Sequence, residues 1–111
     1  MNDDLKYFLD VALQGSAYWA EFKTPEYDAD RNLISVHVRD GGFENDRVKT
    51  SWMKIDAKKI LKGRQMLVDG NVKVARSHAA AFVGTVHEWG YDIFDADCLI
   101  QAVYFGEIVY G

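Results

Sequence analysis

Apolar residues in the first segment recur at Leu5, Phe8, Leu9, Ala12 and Leu13, spacings of three and four that form one face of a helix. Asn2 or Asp3 is placed to cap its start, and Gly15 stands where a left-handed C-terminal cap is wanted. From Ala17 the period changes to two. Tyr18, Ala20 and Phe22 alternate with Trp19, Glu21 and Lys23, which predicts a strand with one apolar face. Pro25, Asp28, Asp30 and Asn32 supply turn chemistry before a second alternation in which Ile34, Val36 and Val38 are the apolar set. Asp40-Gly41-Gly42 marks a tight connection to a third strand over 48–55.

The second half reads as helices, each stopped by a glycine. One runs from Asp56 to near Gly70, with Ile55 and Ile60 forming a hydrophobic staple. The next spans Val74 to Trp89 and stops at Gly90. The last is capped by Asp95, with Phe94 against Leu99, and ends at Gly106. Both capped helices start alike, and shared capping chemistry explains the likeness without an internal duplication. Gly63 and Gly84 fall inside helical patterns, where each costs about 1 kcal/mol relative to alanine. Close helix packing, within the chain or across a dimer, accounts for them. The tail 107–111 alternates weakly and is expected either to add a short edge strand or to cover the core. The expected architecture is α+β: one domain over 1–111, with a three-stranded antiparallel sheet (four if the tail joins) packed by about four helices.

Composition fits a chain that buries a core. Of 111 residues, 49% are hydrophobic and 14% aromatic, too apolar for intrinsic disorder. The longest apolar runs are far shorter than the ~20 residues of a membrane-spanning helix. The N-terminus shows no secretory pattern, and the lone Cys98 suits a reducing compartment, so a cytoplasmic location is expected.

Charge is segregated beneath a net value of −4. Residues 1–46 carry four basic and ten acidic side chains, 47–76 nine and two, and 77–111 none and five. Lys58 and Lys59 fall in the first turn of a helix, where a positive charge opposes the macrodipole at a cost of roughly 0.3–1 kcal/mol each. Together with Arg47, Lys49, Lys54, Lys62 and Arg64, and with Trp52 for stacking, they are candidates for a surface that takes nucleic acid or an acidic partner. The competing reading is a solvated face balanced by the acidic ends.

Catalytic signals are sparse. His37, His78 and His87 lack metal-ligand spacing with Cys98, and no serine sits in a nucleophile-elbow context. Cys98 is expected at the third position of its helix, surrounded by Asp95 and Asp97, whose charge opposes a thiolate. No cofactor motif is present, and no enzyme is expected.

Two stretches carry a resemblance. Gly15-Ser16-Ala17-Tyr18-Trp19-Ala20-Glu21 and the C-terminal run from Phe94 to Gly111, with its Asp-Ala-x-x-x-Ile-Gln-x-x-x-Phe-Gly-x-x-x-Tyr-Gly pattern, are similar to the ends of a family of small uncharacterised phage and prophage proteins. They cover about a quarter of the chain, and the middle matches only loosely. In that family a second glycine commonly precedes the aromatic pair, where this chain has Ser16. The resemblance implies a viral or mobile-element setting and carries no site residues. In that setting the expected role is binding a host or viral protein, including components of bacterial defence, with a homodimer also possible. Nucleic-acid binding through 47–64 is the alternative.

Overall fold

The computed structural model describes residues 2–42 and 51–111. The first apolar stripe forms α1 (Asn2–Ser16), burying Leu5, Phe8, Leu9 and Ala12. This helix runs through Gly15, so that glycine is not a left-handed cap. It is a point of close approach: a methyl group there would collide with the backbone carbonyl of Ile93. A turn over 17–19 then sends Trp19 inward, fully buried, in place of the outward position that strict alternation predicts.

The sheet is antiparallel throughout, with β3 (Leu33–Asp40) at its centre. β1 (Ala20–Phe22) and β2 (Glu26–Asp28) pair with successive halves of β3, Phe22 opposite Val38 and Glu26 opposite Ser35. Between these pairs one strand advances four positions and β3 only three, so residues 23–25 hold one extra residue, a bulge at Pro25. The bulge puts Tyr27 on the face of Ile34 and leaves Glu26 and Asp28 on the other. β4 (Met53–Asp56) pairs with the opposite edge of β3. The expected third strand is seen only from Met53, and its first part lies outside the described residues. The fourth strand is β2, not the tail.

Ile34, Val36, Val38 and Ile55 form the buried face of the sheet. α2 (Ala57–Val68) follows β4 directly, with the Asp56 carboxylate accepting from Lys59 N at 2.9 Å. Gly70 takes φ 77°, and its backbone and that of Asn71 close the last carbonyls of the helix. α4 (Ile93–Phe105) packs against both α1 and α2, and eight of its thirteen residues are buried, as befits a helix apolar on nearly every side. Gly63 lets α2 come close: a Cβ there would strike the Val103 side chain.

The helix expected over 74–89 does not form as one piece. α3 (Arg76–Ala80) is followed by Gly84 at φ 89° and by a 3₁₀ turn, Val86–Glu88, with its own Thr85–Glu88 capping box. Gly84 therefore serves backbone conformation, not helix packing. Carbonyls that a longer helix would bind internally go instead to Arg64, whose Nε donates to Phe82 O at 2.7 Å and Nη2 to Gly84 O at 2.9 Å. The break lets Phe82, Trp89 and Tyr91 gather on Phe8, with ring centroids 5.2–6.0 Å from it. α4 also starts earlier than expected. Asp92 is its cap and Asp95 completes the capping box, which leaves Phe94 exposed rather than stapled to Leu99.

The tail covers the core. Gln101 Oε1 accepts from the backbone of both Val109 and Tyr110 at 2.9 Å, and its amide donates to Tyr110 O at 2.9 Å. The Tyr110 hydroxyl donates to Asp40 at 2.6 Å. No helix among the described residues is long and apolar enough to cross a membrane.

Candidate functional site

Residues 15–21 and the run from Phe94 to Gly111 meet at one buried carboxylate. Asp97 Oδ1 accepts from Ser16 Oγ and from the Trp19 indole, each at 2.7 Å. Its Oδ2 accepts from the Tyr18 hydroxyl at 2.6 Å and the Gln101 amide at 3.0 Å. Four donors around one buried charge are what its stability requires, because an unpaired carboxylate in the core is costly. Burial first, then the bond to Asp97 and its charge, push the Tyr18 phenol well above its usual range. Trp19 stacks on Tyr110 with centroids 5.8 Å apart, completing a second aromatic group with Tyr104 and Phe105. The motif is thereby explained as architecture. It ties the start of the sheet to α4 and the tail.

Directly beside this cluster opens a cleft of about 640 Å³, within the size range of ligand sites. One wall is the segment leading into α3, with Lys73, Val74 and His78. The other is the start of α4, with Ile93 and Phe94; Tyr18 and Ile108 close the inner end. The lining is mainly apolar. Phe94 is 67% exposed and Ile93 41%, unusual positions for two large apolar side chains at a helix start. The sequence held a signal for Phe94: spaced two, five and six residues from Ala96, Leu99 and Ile100, it falls on the opposite side of α4 from them.

Polar groups in the cleft are few. His78 Nδ1 lies 2.6 Å from Asp95 Oδ1, while Asp95 Oδ2 caps α4 through Asp92 N at 2.9 Å. This pair fixes the imidazole and joins the cleft walls. Cys98 also lines the cleft, as the sixth residue of α4 and not the third as expected. Burial, reinforced by Asp97, Asp95 and Asp92, pushes its thiol up to about 11. It is thus protonated at neutral pH and poorly suited to nucleophilic attack. The geometry offers a shaped apolar recess with an anchored histidine, and no activated nucleophile.

The basic segment is divided by the fold. Arg47 and Lys49 lie outside the described residues. Arg64 is engaged by the Phe82 and Gly84 carbonyls and by Gln65. Lys59 donates to Lys54 O at 2.7 Å. Trp52 is half-buried, with Lys23 Nζ 4.6 Å and the Arg39 guanidinium 4.7 Å from its ring centroid, cations where a stacked base would have to go. Lys54, Lys58 and Lys62 remain exposed and have no ion pair among the described residues. Lys58 and Lys62 share a face of α2, with Lys58 in its first turn as expected.

The other histidines stand apart. His37 is half-buried on the polar face of β3 opposite Lys54, and His87 is exposed, 3.6 Å from Asp4. Among the described residues no three His, Cys, Asp or Glu side chains are grouped to hold a metal ion. No protein-family model, no curated protein and no solved structure matches the chain.

Proposed function

We propose that this protein is a binding module, a small phage or prophage accessory protein that acts by occupying a surface of a host or viral protein, and that the cleft between α3 and α4 is its contact site. Components of bacterial defence are among the partners such a role includes. The observation that carries the site is the exposure of Phe94 and Ile93 on the rim of an apolar recess. Interfaces take their affinity from a few large side chains seated in such recesses. With its thiol protonated, Cys98 adds to the apolar lining of the recess.

The test is affinity capture from host lysate after nuclease treatment, with wild type and Phe94→Glu in parallel. A protein recovered stoichiometrically by wild type and lost with Phe94→Glu supports the proposal. Equal recovery by both removes the cleft as the site.

A second reading, nucleic-acid binding, keeps one specific observation: Lys54, Lys58 and Lys62 are exposed and unpaired among the described residues. Recovery of nucleic acid alone, lost when the three are changed to Gln, would put that reading first.

A further inference from the structure

We infer that the cleft carries a general base: His78, oriented by Asp95, activates water against the carbonyl of an ester whose apolar acyl chain lies along the recess. The inference goes beyond binding and needs no protein partner. His78 is the one imidazole on the lining. Its Nδ1 lies 2.6 Å from Asp95 Oδ1, and that carboxylate is itself fixed, because Asp95 Oδ2 accepts from Asp92 N at 2.9 Å in the capping box of α4. A carboxylate at that distance holds the neutral ring in the tautomer with its proton on Nδ1, so the lone pair sits on Nε2. Nε2 has no protein partner among the described residues. The His78 side chain is 29% exposed and that of Asp95 12%, so the base meets solvent while its orienting group is withdrawn.

The electrostatics suit proton abstraction. Hydrogen bonds from neutral groups do not cancel the charges of Asp97, Asp95 and Asp92, and after burial it is these charges that raise the Cys98 thiol on the same lining. A field that opposes a thiolate favours the imidazolium formed when Nε2 takes a proton. It also opposes an oxyanion, and Lys73 answers that: the lining's one ammonium group, it is exposed and has no ion pair among the described residues. In the step itself, a water O–H bond breaks as its proton moves to Nε2, and the oxygen bonds to the carbonyl carbon, whose π pair moves onto the carbonyl oxygen. When that pair returns, the ester C–O bond breaks and the departing alcohol oxygen takes the proton back from Nε2. The products are a carboxylic acid and an alcohol, and His78 ends as it began. An ester suits a lone base because its leaving oxygen needs only that one proton. Val74, Ile93, Phe94 and Ile108 supply the apolar surface for the acyl chain.

The experiment follows release of p-nitrophenol from p-nitrophenyl acetate and p-nitrophenyl hexanoate by the full chain, with free imidazole at the same concentration as reference. The hexanoate should be cleaved ~10²-fold faster than by imidazole. Its kcat/KM should exceed that of the acetate by ~10-fold, since the added methylenes lie in the recess. His78→Gln, whose amide can still donate to Asp95, should fall to the imidazole rate. Asp95→Asn removes a positioning residue and should lower kcat with KM nearly unchanged, a split that a loosened cleft would not give. His37→Gln combined with His87→Gln leaves His78 as the sole imidazole of the chain and should keep the full rate, which tests the assignment even where His78→Gln fails to fold. Cleavage no faster than by imidazole, equal kcat/KM for the two esters, an undiminished rate in folded His78→Gln, or loss of the rate in the double variant would each overturn the inference.

Discussion

Asp97 and Lys58 are opposite extremes of charge placement in this fold. The carboxylate is buried under four donors drawn from both halves of the chain, whereas the ammonium group is exposed, has no ion pair among the described residues, and sits in a helix turn that disfavours it. Both sequence regions stand out on inspection, one for its motif and the other for its charge. The contrast teaches that a pattern of polar residues is as readily a device for assembling the core as a device for meeting a ligand. What separates them is whether the donors and acceptors are already matched.

Removing the matched group should have the largest effect. Asp97→Ala takes the shared acceptor from Ser16, Tyr18, Trp19 and Gln101, of which Tyr18 and Gln101 still reach Tyr110 O, and a loss of about 3–5 kcal/mol is expected in denaturant unfolding. A loss below about 1 kcal/mol would show that water satisfies these donors and that the cluster is not structural. Gly15→Ala comes next. Its methyl group must push α1 from the Ile93 carbonyl, loosening Ser16 from Asp97, at about 1–3 kcal/mol in the same assay.

Alkaline pH probes the same region more gently. The Cys98 thiol is raised from 9.0 to about 11, so the folded state favours the protonated form. Its contribution to stability is complete below pH 9 and is lost as pH rises through about 11. Melting temperature should fall over that window, and Cys98→Ala should flatten the fall. An identical profile in the variant would assign the loss to the tyrosines.

The smallest effect belongs to the exposed extreme and has the opposite sign. Lys58→Gln removes an unfavourable charge from the first turn of α2 and should raise stability by about 0.3–1 kcal/mol at low salt. Lys59→Gln should gain less, since Lys59 Nζ already donates to Lys54 O. Equal gains would mean that this bond contributes nothing.

Most of the fold was legible where one local rule decided the outcome. The stripe of α1, the alternation of β3 and the Asp56 cap all follow from neighbours in sequence. The failures lie where distant groups decide. A helix over 74–89 fits the local pattern except at Gly84, but Arg64, from another helix, takes its carbonyls and Gly84 turns left-handed. Asp92 and Asp95 stand three apart in a capping box, and local rules suit either as the cap; the fold uses Asp92, one turn earlier than expected, which leaves Phe94 exposed. The cleft itself was not legible, because its walls come from segments that only the tertiary fold brings together. The role of Asp97 was not legible either, since its partners Ser16 and Trp19 lie 81 and 78 positions away.

The central position of α4 also bears on how the protein is made. As a chain leaves the ribosome, α1, the sheet and α2 emerge before the helix that fills the space between them. Until residues 93–105 appear, Trp19 lacks its acceptor, and α1 and α2 have β3 in common but not the helix that packs on both. The nascent chain therefore stays incompletely packed until residues 93–105 emerge, and assembly closes through contacts such as Ser16 to Asp97, 81 positions apart, the kind that slows folding.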